Sequence, residues 1–168
     1  MIRFLCNRKW YCVTLILAVA QTSCTSKIEA QVKELAAAKV CWGKTRTGDY
    51  AFDLKTSCSG ACYGPVRVEV SGGDVVSVVP HEGVTSYRDS YFGDVPTIGD
   101  LFDTALHAIE TSALEEFDTQ LAFDRTYGHP TRIVIRHNIS SSDLGREYVV
   151  SNLEMGQKSP AEFYDCGL

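Results

Sequence analysis

The chain is 168 residues long, 45% hydrophobic and 22% charged, with 21 Asp and Glu against 16 Lys and Arg. That composition is globular and not disordered. A net charge of −5 without Lys/Arg clusters argues against nucleic acid as a partner, because phosphate contacts dominate that affinity.

The first residues read as a leader. Arg3, Arg8 and Lys9 form a positive segment without an acidic residue, and residues 13–20 (VTLILAVA) form an apolar run followed by small residues. The run falls well short of the roughly 20 apolar residues needed to span a bilayer. Ala18-Val19-Ala20 fits an ordinary cleavage site, whereas Gln21-Thr22-Ser23-Cys24 looks like a lipobox with Gln in place of the usual Leu. Cleavage after Ala20 leaves an odd set of cysteines: Cys24, Cys41, Cys58, Cys62 and Cys166. Lipid on Cys24 leaves a set that can pair completely, which favours a lipoprotein. Residues 1–23 are then the signal peptide, 24–40 the lipidated N-terminus and first helix, and 41–168 a single α+β domain. Loss of Arg3, Arg8 and Lys9 takes the formal charge from −5 to −8. Attachment to an anionic membrane must therefore come from the anchor.

Ile28, Val32, Leu35, Ala36 and Val40 share helical spacing, and the polar stretch from Gly43 to Asp49 ends that helix near Trp42. Tyr50, Phe52 and Leu54 alternate with Ala51, Asp53 and Lys55, as in a half-buried strand. Val66, Val68 and Val70 alternate likewise, and Gly72-Gly73-Asp74 turns them into a partner strand, Val75 to Val79. Residues 80–96 read as a loop. Thr97 is the N-cap of a second helix, with Asp100 near its positive end and a stripe of Ile98, Leu101, Phe102, Ala105, Leu106, Ile109 and Ala113. Strands are expected over Thr119–Asp124, Thr131–Arg136 and Glu147–Leu153, with Tyr127-Gly128-His129-Pro130 turning the first into the second. The sum is an α+β domain: an antiparallel sheet with two helices, for which a duplicated helix-plus-three-strand unit is one way of building it.

Several short motifs occur in a familiar order. They are Trp42, Asp49-Tyr50 with Phe52, a cysteine pair, Pro65-Val66-Arg67-Val68-Glu69-Val70, Gly72-Gly73-Asp74-Val75-Val76, Thr97-Ile98-Gly99-Asp100-Leu101-Phe102-Asp103, and Phe123-Asp124-Arg125-Thr126-Tyr127-Gly128-His129-Pro130. Over residues 40–152 the chain resembles DUF6174, an uncharacterised bacterial family of small secreted or lipid-anchored envelope proteins. The resemblance implies location and fold class and transfers no catalytic residue.

The cysteines left after lipidation admit three connectivities. Cys58 and Cys62 sit four apart, which on a straight strand is about 13 Å, too far for a bridge unless Ser59-Gly60-Ala61 turns the chain. A structural disulfide there is the expectation, and it leaves Cys41 to Cys166. Zinc would need two further ligands at a recognisable spacing, so no metal is expected. His107, one turn after Asp103, reads as half of a solvated ion pair. His81 and His137 lie in loop-like polar surroundings. His129 has Tyr127 and Asp124 for company, but no nucleophile elbow accompanies it. The aromatic residues Tyr87, Tyr91 and Phe92 form a candidate binding patch.

The expectation is a non-catalytic lipid-anchored envelope protein acting by binding or structural support, without a cofactor. Its anticipated place is the outer membrane, facing the periplasm, with an envelope protein as partner. The alternatives are a periplasmic enzyme centred on His129 and a soluble secreted inhibitor-like binding module.

Overall fold

The computed structural model describes residues 27–44, 48–58, 64–84, 95–112, 117–137, 145–156 and 166. Helix α1 (27–44) is followed by strands β1 (Tyr50–Cys58), β2 (Val66–Ser71) and β3 (Asp74–Pro80). Helix α2 (Ile98–Ser112) is followed by β4 (Phe117–Phe123), β5 (Pro130–His137) and β6 (Gly145–Met155). The six strands form one antiparallel sheet in the order β3-β2-β1-β6-β5-β4. A twofold axis normal to the sheet would set β1 beside β4. Here β1 pairs with β6, so the repetition of helix and three strands lies in the order of elements and not in such an axis.

Alternation decides which face is covered. The register pairs Tyr50 with Val70, Phe52 with Val68 and Leu54 with Val66, and on the other flank Leu54 with Val150 and Thr56 with Tyr148. These side chains form the core together with Leu35, Ala38 and Trp42 of α1 and Ile98, Leu101, Phe102, Ala105 and Ile109 of α2. Trp42 meets Tyr50 edge-on at 5.1 Å and Phe102 stacks on Phe123 at 6.2 Å, which places both helices on one face. No described helix is long and apolar enough to cross a membrane.

Local chemistry explains the ends of the elements. Thr97 Oγ1 accepts from the Asp100 amide at 3.1 Å while Asp100 Oδ2 accepts from the Thr97 amide at 2.9 Å, a reciprocal cap that starts α2. Gly72 (φ 63°) and Gly73 (φ 103°) supply the left-handed conformation that a two-residue hairpin between β2 and β3 demands.

The buried stripe of α1 differs from the expected one. Val32 and Val40 are exposed at 38% and 59%, and Ala36 is exposed too, whereas Leu35, Ala38, Cys41 and Trp42 are buried. The inward face runs through Gln31, whose amide donates to the Thr119 carbonyl of edge strand β4 at 2.8 Å. A polar residue that caps a sheet edge is indistinguishable in sequence from a solvated one, so the apolar valines drew the stripe to the wrong side. His107 is exposed as expected, but its anticipated partner Asp103 takes Lys39 of α1 instead, at 2.7 Å.

Candidate functional site around Asp53

No described helix covers the second face of the sheet. At its centre lies Asp53 of β1, only 7% exposed in the middle of an alternating strand. A carboxylate in such a place must be hydrogen-bonded. Asp53 Oδ1 accepts from Arg67 Nη1 at 3.3 Å and lies 3.2 Å from His81 Nε2, and Oδ2 accepts from Asn152 Nδ2 at 2.6 Å. Arg67 Nη1 also donates to the Asn152 carbonyl at 2.7 Å, and Nη2 pairs with Glu154 at 2.7 Å. Burial pushes the Asp53 carboxyl up, yet the hydrogen bonds from Asn152, Arg67 and His81 outweigh it and hold it below the ordinary carboxylate range.

The sheet itself assembles this group. Arg67 sits directly across from Asp53 on β2, and Ser151 directly across on β6. A bulge opposite the stretch from Ala51 to Asp53 then inserts one extra residue into β6 and brings in Asn152. Asn152 has φ 49°, the one positive value outside glycine among the described residues. Asn tolerates this region better than most residues, at a cost of about 1 kcal/mol that its hydrogen bonds offset. His81 is fixed just past β3 by its amide, which donates to the Pro65 carbonyl at 3.0 Å.

An Asp–His pair is the orienting half of general-base chemistry, and it needs a hydroxyl, thiol or water to act on. Among the described residues no hydroxyl or thiol is bonded to His81, and no group of three or more His, Cys, Asp or Glu is placed to share a metal ion. Asp53 of β1 spends its acceptors on β2, on β6 and on the segment after β3. That is the work of a clasp.

The second Asp–His pair lies at the turn between β4 and β5. His129 is 5% exposed, its Nδ1 has no hydrogen-bond partner, and Asp124 Oδ1 is 4.0 Å away. Asp124 Oδ1 instead accepts the amides of Thr126 and Tyr127 at 2.9 and 2.7 Å, which builds the turn. The imidazole packs between Trp42 and Tyr127, with ring centroids at 6.2 and 6.4 Å. Burial holds its pKa below the ordinary histidine value, while the charge of Asp124 pulls weakly the other way. A base must reach its substrate, and this ring is enclosed. Gly128 (φ 76°) explains the close fit: a Cβ there would stand 2.6 Å from the Ala38 carbonyl of α1.

The same corner carries a covalent tie. Cys41 at the end of α1 is disulfide-bonded to Cys166, with Cα atoms 5.9 Å apart. Cys58 ends β1. Its expected partner Cys62, the lipidation candidate Cys24 and the aromatic patch of Tyr87, Tyr91 and Phe92 all lie outside the described residues.

Sequence reasoning missed the Asp53 cluster because its members come from four separate places in the chain. One signal was available: Asp is depleted in strands, and Asp53 stands in the middle of one.

Fold and clusters together define an α+β domain with one sheet face covered by both described helices and the Asp53 cluster on the other. The chain belongs to the family of unknown function DUF6174, whose profile matches residues 34–155, from within α1 to the last residue of β6. No curated protein and no solved structure matches it.

Proposed function

We propose that the chain is a non-catalytic protein of the cell envelope, anchored by a lipid on Cys24 and acting by binding or structural support. The observation that carries this reading is the use to which its two Asp–His pairs are put. Asp53 is saturated by donors that lock β1, β2 and β6 together, and His129 is a buried packing residue. Neither pair is bonded to a described nucleophile. The short apolar run and the Gln21-Thr22-Ser23-Cys24 segment support the anchor, and the acidic domain supports a polar or protein partner over nucleic acid.

Intact mass of the protein from the membrane fraction tests the anchor: acyl chains on an N-terminal Cys24 are expected. An unmodified N-terminus at Gln21 would replace the anchored protein with a freely secreted module. Cross-linking the anchored chain to its neighbours in the envelope, followed by recovery, tests for a partner. A His129→Gln protein that folds yet fails to complement a deletion strain would return the enzyme reading to favour.

A further inference from the structure

We infer that in the anchored protein the end of the sheet at which α1 begins is held against the lipid headgroups, and that the opposite end, with the β2–β3 hairpin and the Cys41–Cys166 bridge, is the one presented to a partner. The inference rests on the reading of Cys24 as the lipidated residue.

The register defines the two ends. Phe117 of β4 pairs with His137 of β5, Arg136 with Gly145 of β6, and Arg146 with Cys58 of β1, so these residues share one end. At the other, Phe123 pairs with Pro130, and Tyr50 with Met155 and Val70, beside the hairpin at Gly72 and Gly73. Helix α1 runs from the first end to the second. Lys27 Nζ pairs with Asp118 Oδ1 at 3.1 Å and the Gln31 amide donates to the Thr119 carbonyl at 2.8 Å, where β4 begins. At the far end of the helix Trp42 meets Tyr50 at 5.1 Å, and Cys41 is bonded to Cys166, whose amide donates to the Arg125 carbonyl at 3.2 Å.

Two lengths decide the orientation. Acyl chains on Cys24 fix that residue at the headgroups. Cys24 and Lys27 are three residues apart, so even a fully extended chain separates them by only about 11 Å. Helix α1 (27–44) then runs about 27 Å, so the reach of the anchor is less than half the length of the helix. The start of that helix is part of the folded body. Lys27 and Gln31 fasten it to the edge of β4, Ile28 packs against the core and Leu35 is buried within it. The anchor therefore holds the domain by one end. Turning the hairpin end to the bilayer would lift Lys27 by about the length of α1, beyond the reach of its anchor.

The experiment places the acylated protein, purified from the membrane fraction, in nanodiscs of phosphatidylethanolamine and phosphatidylglycerol that carry a gadolinium-chelating lipid. Broadening of the backbone amide signals is then followed by NMR. The amides of Asp118, Arg136 and Arg146 should broaden several-fold more than those of Gly72, Gly73 and Gly128. A flexible Gly/Ser insert of about 20 residues between Ser26 and Lys27, with a mean reach of about 25 Å, should abolish that gradient. Equal broadening at both ends, stronger broadening at Gly72 and Gly128, or a gradient that survives the insert would overturn the orientation. Intact mass of the same sample separates this outcome from failure of the anchor. Acyl chains on Cys24 without a gradient leave the anchor and remove the orientation, whereas an unacylated N-terminus removes both.

Discussion

Asn152 and Asp53 are joined by a 2.6 Å hydrogen bond between residues 99 apart in the chain, and this bond holds the bulged end of β6 against the centre of β1. The backbone of Asn152 is left-handed, so the residue carries two separable contributions. Asn152→Ala removes the amide and keeps the conformational cost, and a loss of about 2–4 kcal/mol is expected in urea unfolding. Asn152→Gly also removes the amide but suits the positive φ, so it should be about 1 kcal/mol more stable than the alanine variant. Equal stability of the two would mean that the backbone conformation costs nothing.

Asp53 also predicts an acid dependence. Its folded pKa lies below the unfolded value of 3.8, so its contribution is fully present above that pH and is lost as pH falls through the lowered folded value. Unfolding free energy measured from pH 5 downward should fall, and Asp53→Asn should flatten that limb. The variant should also be less stable at neutral pH, where Arg67 loses a buried counter-charge.

His129 acts in a higher window. Its folded pKa lies below 6.5, so the unfolded chain binds the proton first, and stability falls as pH drops below 6.5 towards the folded value. His129→Gln should remove that slope. At a surface turn such a substitution would be near-neutral, within about 0.5 kcal/mol. Burial of the ring against Trp42 raises the expected cost to about 1–3 kcal/mol, because the new amide is enclosed among apolar and aromatic neighbours.

The bridge between Cys41 and Cys166 spans 125 residues. On the chain-entropy argument a loop of that size is worth about 4–5 kcal/mol, more than any short loop closed by Cys58 could give. Melting with and without reductant should show the difference, and Cys41→Ser should reproduce the reduced value. A melting temperature indifferent to reductant would mean that the bridge does not form in solution.

Much of the fold was legible because its signals are local. Alternating Val66, Val68 and Val70, the Gly72-Gly73 turn and the Thr97 cap each depend on a few neighbouring residues, and the structure has the strands and α2 where those signals put them. The inward face of α1 was not legible, since Gln31 faces in for the sake of a carbonyl on β4 that no local pattern announces. The polar cluster was hidden for the same reason. Asp53, Arg67 and His81 meet only once β1, β2 and β3 have paired, Asn152 joins them only once β1 has found β6, and each alone looks like a solvated position.

That central ladder has a consequence for how the chain acquires its shape. β1 is the first strand to leave the ribosome or a translocation pore and β6 the last, yet they are partners. Until β6 emerges, β1 has β2 on one side and an unpaired edge on the other, with half of its hydrogen-bonding groups unmet. Contacts of such long sequence separation slow folding, because a large loop must close before they form. The nascent domain therefore spends its synthesis as a β1-β2-β3 meander with an open inner edge and an unfinished β4-β5 pair, and truncation before Gly145 should leave an aggregation-prone fragment instead of a smaller stable fold.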